Sequence, residues 1–151
     1  MIRLSRFADY AVVMLAEMAR NEDLQLAASD LSGRTSLPEP TVAKILKSLT
    51  RAGILISTRG VNGGYGLSRP AERITVADII TAMDGPISLT DCADSQKNCS
   101  MEGHCGMHGR WNKVNVAIRA ALESITLVDL MQTSRAPHKT AANTTRTSPI
   151  L

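Results

Sequence analysis

The chain has 151 residues, of which 44% are apolar and 21% are charged, so it can bury the core of one ordinary domain. Neither a multidomain enzyme nor a wholly disordered chain fits this size and composition. No stretch approaches the roughly 20 consecutive apolar residues that a membrane span requires, and the N-terminal segment lacks the apolar centre of a signal peptide. We therefore expect a cytoplasmic protein with no membrane partner.

Charge is distributed unevenly along the chain. Between Arg34 and Arg73, seven basic residues stand against two acidic ones, which gives this segment a net charge of +5. Residues 74–132 instead carry seven acidic and four basic residues. The basic segment favours a polyanionic partner, although an ordinary solvated surface would give the same count.

Apolar residues recur at helical spacing three times in the first third of the chain. The pattern predicts a helix over residues 6–19 with Ser5 as its N-cap and a short helix over residues 27–34. A third helix begins at Pro38 and Pro40 and ends at Gly53, since proline is tolerated in a first turn and glycine is favoured just past a last one.

The pattern then changes to two short β-type segments, residues 54–58 and 65–67, around a glycine-rich turn. This pattern predicts a hairpin. Two helices joined by a short turn and followed by a hairpin form the order of a winged helix-turn-helix, whose second helix enters the DNA major groove. We therefore predict a mainly α fold with a two-stranded wing.

Two further helices are predicted after the wing, at residues 74–83 and 109–131. The second is long for so small a domain and should need a partner surface, which favours dimerisation. Its apolar repeat consists of Trp111, Val114, Ile118, Ala121, Leu122, Ile125 and Val128. We divide the chain into a winged helix-turn-helix (1–85), a loop with all three cysteines (86–108), a dimerisation helix (109–132) and a disordered tail (133–151).

The third helix has an apolar stripe of Val42, Ile45, Leu46 and Leu49. Polar and basic residues lie opposite this stripe and in the wing, where their types suit contacts with phosphates and base edges. A helical protein interface with solvated lysines is the alternative. The predicted DNA-contacting residues are Pro40, Thr41, Lys44, Lys47, Ser48, Arg51, Arg59, Asn62, Gly63, Gly64 and Tyr65. We expect Gly63 and Gly64 to supply positive φ angles and Tyr65 to anchor the returning strand.

The three cysteines are Cys92, Cys99 and Cys105. An odd, clustered set in a chain with no secretion signal favours a metal site or a reactive thiol over a disulfide framework. Thiolates suit an iron–sulfur cluster or zinc, and the absence of CxxC spacing favours iron–sulfur. His108 is the first candidate for a fourth ligand, because it follows Cys105 by three residues and would share its helical face.

Several motifs together resemble the winged-helix iron–sulfur regulators typified by IscR and NsrR, over residues 1–132. They are Phe-Ala-Asp-Tyr-Ala at 7–11, Arg59-Gly60 with Gly63-Gly64-Tyr65 and Leu67, and the three cysteines. Residues 75–80, Gly85-Pro86, residues 89–92 and the region of Trp111 look most like the subgroup that regulates the SUF iron–sulfur assembly operon. Six residues separate Cys92 from Cys99, one more than in the usual family pattern, as in that subgroup.

The resemblance implies a homodimeric regulator, more often a repressor, that binds operator DNA and a 2Fe–2S or 4Fe–4S cluster and controls iron–sulfur assembly genes. It supports His108 by the spacing of IscR-like members. It also offers Asp9, since an N-terminal aspartate of the other subunit is a ligand in NsrR-like members; Glu102 and His104 rank behind, and His138 lies in the tail. The alternatives are a nitric-oxide-responsive repressor and, from a different class, a small iron–sulfur redox protein. An enzyme is disfavoured, because no catalytic constellation is apparent.

Overall fold

The computed structural model describes residues 3–90, 106 and 110–132. Within these residues the chain forms six α-helices and one two-stranded antiparallel sheet. In chain order they are α1 (Arg6–Ala19), α2 (Ala28–Thr35), α3 (Glu39–Arg51), β1 (Leu55–Thr58), β2 (Gly64–Leu67), α4 (Val76–Asp84), α5 (Asn112–Glu123) and α6 (Leu127–Met131). The mainly α fold with a two-stranded wing is confirmed.

The helix-turn-helix forms as its sequence signals predict. Helix α1 is capped by Ser5, whose hydroxyl accepts a hydrogen bond from the Ala8 amide at 3.1 Å. Helix α2 ends at Ser36, which takes a left-handed conformation with φ 58°. Pro38 then occupies the N-cap position of α3, and Gly53 follows its last turn with φ 72°, the conformation that glycine adopts at low cost.

Helix α3 buries one complete face. Val42, Ile45, Leu46 and Leu49 are fully buried, and all four belong to the predicted stripe. They join an aliphatic core built mainly from α1 and α3, which also includes Leu31 of α2, Ile79 of α4, and Ile54, Leu55 and Ile74. This core fixes the orientation of α3 and leaves its opposite face to solvent.

The wing is held at both of its ends. Leu55 pairs with Leu67 at its base and Thr58 with Gly64 near its tip. At the base, the Gly53 carbonyl accepts a hydrogen bond from the Ser68 hydroxyl at 2.6 Å, which joins the returning strand to the end of α3. Leu26, before α2, exchanges two backbone hydrogen bonds with Tyr65, at 2.9 and 3.0 Å. This third extended segment, which was not predicted from the sequence, connects the wing to the helix-turn-helix.

The explanation proposed for the wing glycines is wrong in its physical basis. Positive φ occurs at Gly60, with φ 120°, and not at Gly63 or Gly64. Gly63 and Gly64 are instead crowded by backbone: a Cβ on Gly63 would collide with the Thr58 carbonyl oxygen, and one on Gly64 would lie 2.9 Å from the Leu26 carbonyl oxygen. Close approach of main chains therefore requires these two glycines.

The helix predicted over residues 109–131 is broken into α5 and α6. Thr126 caps α6, and its hydroxyl accepts a hydrogen bond from the Asp129 amide at 3.2 Å. The chain forms a short bridge before α6, in which the Val76 amide donates to the Ile125 carbonyl at 2.9 Å and the Leu127 amide donates to the Ile74 carbonyl at 2.8 Å. Leu127 is fully buried. The bridge and the cap satisfy backbone groups that a continuous helix would have paired internally.

Candidate DNA-binding surface and cysteine segment

The outer face of α3 carries the predicted DNA-contacting residues on one surface. Lys44, Lys47 and Arg51 are exposed, whereas Thr41 and Ser48 are half-buried beside them. Pro40 is exposed in the first turn. The buried stripe faces the core, so these polar residues lie together on the opposite, solvent-facing side of α3.

Lys44 is further fixed by an aromatic ring on another helix. Its Nζ lies 4.1 Å from the centroid of the Phe7 ring in α1, a distance typical of a cation–π contact. The ring is half-buried and packs against the core, so it serves both the core and the outer surface.

The wing residues divide into two groups. Arg59 and Asn62 are exposed near the tip, whereas Gly63, Gly64 and Tyr65 are half-buried. The Gly63 amide donates to the Gly60 carbonyl at 3.0 Å and closes the turn. The structure therefore makes Arg59 and Asn62 available to a partner, while Gly63, Gly64 and Tyr65 shape the loop that presents them.

Two of the seven basic residues in the segment from Arg34 to Arg73 form ion pairs with acidic residues of the same chain. Arg34 forms an ion pair with Glu17 at 3.1 Å, and Arg69 forms one with Asp78 at 2.9 Å. Within the described residues, no acidic side chain forms an ion pair with the basic residues of the outer face and wing, which are Lys44, Lys47, Arg51 and Arg59. Of the five other basic residues in this segment, four therefore lie on α3 and the wing, and the fifth is the exposed Arg73.

The Arg69–Asp78 pair has a structural role. The Arg69 guanidinium also donates to the Arg73 carbonyl at 3.0 Å, and the Asp78 carboxylate accepts from the Thr75 amide at 3.0 Å. Burial raises the pKa of Asp78, but the hydrogen bonds from the amide and hydroxyl of Thr75 and from Arg69, with the charge of Arg69, outweigh burial and hold this pKa below its ordinary value. The network joins the end of the wing to the start of α4.

The candidate ligands Cys92, Cys99, Cys105 and His108, together with Glu102 and His104, lie outside the described residues. Among the residues that the structure does describe, no three His, Cys, Asp or Glu side chains come together as a metal site. Asp9, the alternative fourth ligand, is exposed in the first turn of α1.

One described contact lies at the entry to the cysteine segment. The Asn115 side chain of α5 accepts a hydrogen bond from the Leu89 amide at 3.3 Å and donates one to the Ile87 carbonyl at 3.2 Å. Both halves of the amide are therefore used to join the chain before Cys92 to α5. No sequence pattern signals this contact, because Asn115 lies among apolar residues and far along the chain from Ile87.

Helix α5 has no completely buried residue. Of the apolar repeat predicted for this helix, Ile118 and Leu122 are half-buried. Val114 and Ala121 of the same repeat are exposed and, with the exposed Ala117, follow one another at spacings of three and four. These last three residues define what we call the open α5 face. A helix that is apolar on more than one side is usually buried on more than one side.

The sequence profile of the Rrf2 family, described as iron-dependent transcriptional regulators, matches residues 4–133. The chain belongs to the Rrf2 family. It is 30% identical over 132 residues to the HTH-type transcriptional regulator IscR of Xenorhabdus nematophila, with 87% of this chain and 80% of that protein covered.

Solved structures of Rrf2-type regulators share the fold. CymR, the global cysteine regulator of Bacillus subtilis, matches with a TM-score of 0.65 and 26% identity over 87% of this chain and 97% of CymR. IscR of T. potens matches with a TM-score of 0.61 and 27% identity over 89% of this chain and 93% of that structure. This Rrf2 protein is thus a DNA-binding transcription regulator of the IscR and CymR type, and its relatives are regulators rather than enzymes. Among the described helices, none is both long and apolar enough to cross a membrane.

Proposed function

We propose that this Rrf2 regulator is a homodimeric repressor of iron–sulfur assembly genes whose operator affinity depends on a cluster bound by Cys92, Cys99 and Cys105. The observation that carries the proposal is the placement of all three cysteines between α4 and α5, in a chain similar to IscR. A cytoplasmic location follows from a role on DNA. A small redox protein, the alternative from another class, does not fit membership of a family of transcription regulators.

The donor set fits an iron–sulfur cluster. Three thiolates are soft ligands, and a cluster completed by one imidazole or carboxylate would be more readily lost than one with four thiolates. His108 is our first choice for the fourth ligand and Asp9 of the partner subunit's α1 is the second; Glu102 and His104 follow. When bound, a 2Fe–2S or 4Fe–4S cluster supplies sensitivity to oxidants, nitric oxide or iron supply.

The fold offers a physical connection between the cysteine segment and the DNA-binding surface. Asn115 holds the chain at Ile87 and Leu89 against α5, and α5 packs on α4. At its other end, α5 is followed by the bridge between Thr75 and Thr126. A change in the cysteine segment can therefore shift α5 relative to α4 while the core around α3 stays intact.

Dimerisation through the open α5 face would place two copies of α3 in a fixed relation. A two-fold dimer reads two half-sites separated by about one helical turn of DNA or a multiple of it. A small change in the packing of α5 would then alter that separation. Coupling between a cluster site and a DNA-binding surface typically changes the affinity for DNA about 5- to 150-fold.

The six-residue gap between Cys92 and Cys99 supports a regulator of SUF-type assembly genes over a nitric-oxide-responsive repressor. Anaerobic purification followed by absorption spectroscopy and by iron and sulfide analysis tests cluster binding directly. We expect stoichiometric iron and sulfide in the wild type and their loss in Cys92→Ala, Cys99→Ala and Cys105→Ala. Zinc with no sulfide in the anaerobic wild type would contradict the proposal. His108→Ala or Asp9→Ala should give a labile cluster, and whichever does so identifies the fourth ligand.

The DNA-binding surface is tested separately. Lys44→Gln, Lys47→Gln and Arg59→Gln combined should weaken operator binding and reduce the slope of log affinity against log salt by about 0.9 for each phosphate that the variant no longer neutralises. Unchanged affinity in this triple variant would exclude α3 and the wing as the contact surface, whatever the cysteines bind.

A further inference from the structure

A groove lies between the first turn of α1 and the first turn of α3. Its volume is about 520 Å3, and its walls are Arg6, Phe7 and Tyr10 from α1 with Pro38 and Thr41 from α3. Pro38 occupies the N-cap position of α3, and Thr41 belongs to the surface proposed for DNA. The groove therefore continues the outer face of α3 onto a second helix, which the sequence pattern had not connected with DNA.

The contact between Lys44 and Phe7 fixes this arrangement. The Lys44 ammonium lies 4.1 Å from the centre of the Phe7 ring, next to the groove that Phe7 lines. A free lysine side chain has four rotatable bonds and loses conformational entropy when it binds a phosphate. An ammonium already held by a ring has less of that entropy to lose.

The groove has the chemistry of a site for a sugar–phosphate backbone. Phe7, Tyr10 and Pro38 offer apolar walls for deoxyribose, Arg6 contributes one cation to the lining, and the Lys44 ammonium lies over the Phe7 ring that forms one wall. The nearest acidic residues on the same elements are Asp9 and Glu39. Both are exposed, and neither forms an ion pair with either cation in the described part of the chain.

We propose that the DNA-binding surface extends onto the first turn of α1, where Arg6 binds a phosphodiester of the operator backbone and Phe7 is a positioning residue for Lys44. This inference rests on the DNA-binding surface proposed for α3 and the wing. It adds contacts that position the regulator on DNA without reading bases.

Arg6→Gln tests the phosphate contact, with Arg20→Gln as its matched control. Arg20 is also an exposed arginine but lies at the opposite end of α1, so both variants remove one positive charge. In fluorescence anisotropy titrations over a range of salt concentrations, Arg6→Gln should lower affinity about three- to tenfold and reduce the salt slope by about 0.9. The loss should be equal on operator and non-specific DNA, and Arg20→Gln should keep the wild-type slope.

Phe7→Leu tests the positioning role, because leucine keeps an apolar side chain but removes the ring. We expect about a two- to fivefold loss of operator affinity, with recovery in Phe7→Tyr. The loss should disappear when Lys44 is already replaced by Gln. If Phe7 matters only for the core, Phe7→Leu will lower affinity by the same factor in both backgrounds.

A wild-type salt slope in Arg6→Gln, or equal losses in Arg6→Gln and Arg20→Gln, would overturn the extension onto α1. The triple variant of Lys44, Lys47 and Arg59 distinguishes this failure from a wider one. If the triple variant binds weakly while Arg6→Gln binds normally, only the extension fails. If both variants bind as the wild type does, the DNA-binding surface proposed for α3 and the wing fails as well.

Discussion

Helices α3 and α5 are nearly equal in length, with 13 and 12 residues, but they are stabilised differently. Helix α3 buries four side chains completely in the core of its own chain, whereas α5 buries none. Because a short isolated helix is marginal in water, α3 obtains its stability from the domain, and we expect α5 to need a further surface. We expect α3 to meet DNA as a preformed helix, and we expect a partner surface to complete the environment of α5.

The largest expected difference between the two helices is in folding stability. Leu46→Ala in α3 should lower the unfolding free energy by about 2–5 kcal/mol, because it leaves a cavity in a fully packed core. Val116→Ala in α5 removes a side chain that is 64% exposed. This variant should change the unfolding free energy by less than about 0.5 kcal/mol. Urea denaturation of both variants at the same protein concentration makes the comparison. Equal losses would mean that α5 is packed as tightly as α3.

The next effect concerns association. Val114→Asp places a charge on the open α5 face and should raise the dissociation constant of the dimer at least about tenfold, since burying an unpaired charge is costly. Val13→Asp on α1 is the matched control, because Val13 and Val114 are similarly exposed, at 45% and 43%. Light scattering over a dilution series measures both. If the two variants dissociate alike, or if the wild type is monomeric with and without a cluster, the open α5 face is not the dimer contact.

The N-cap of α6, at the break between α5 and α6, should make a smaller contribution to the free energy of unfolding. Thr126→Ala removes the N-cap of α6 and should cost about 1 kcal/mol of stability. Thr81→Ala, on the exposed side of α4, controls for the loss of a threonine hydroxyl and should leave stability unchanged, because only the backbone carbonyl of Thr81 takes part in the C-cap of α4. The urea midpoints of the two variants, compared with that of the wild type, measure both effects on stability. A Thr126→Ala protein as stable as the wild type would show that the bridge at Thr75, and not the cap, ends α5.

The smallest expected effect is a pH dependence. The folded state holds the pKa of Asp78 below its ordinary value of 3.8, so this carboxylate stabilises the fold above that pH. Its contribution is lost as the pH falls from 3.8 through the folded pKa. The effect should be small because Asp78 and Arg69 are partly exposed. Asp78→Asn should flatten this part of the stability profile, and an unchanged profile would assign the acid sensitivity to other groups.

Local signals in the sequence predicted much of the fold. Ser5, the prolines at the start of α3 and Gly53 marked the helix ends almost to the residue, because caps act over a single turn. The break at Thr126 was also encoded locally, since Thr126 and Asp129 form a capping box. The apolar repeat through Ile125 and Val128 concealed it, because periodicity alone does not distinguish one long helix from two in sequence.

Contacts between distant segments could not be predicted in this way. The pairing of Leu26 with Tyr65, the contact of Lys44 with Phe7 and the hydrogen bonds of Asn115 join residues far apart in the chain. Gly63 and Gly64 were placed correctly in the wing but for the wrong reason: Gly63 is crowded by residues 58–60 of its own turn, and Gly64 by the distant backbone of Gln25 and Leu26. The exposed face of α3 was predictable since it is the complement of a regular buried stripe.

A cluster bound by the three cysteines should change the affinity of an intact dimer for DNA. The most direct test titrates one operator with the cluster-bound and the cluster-free wild type, both prepared anaerobically and both checked for dimer mass and helix content. We predict two folded dimers whose operator affinities differ by about 5- to 150-fold, with Cys92→Ala behaving as the cluster-free form. Equal affinities of the two dimers for every operator tested would contradict the proposed switch, as would unfolding of the protein on loss of the cluster.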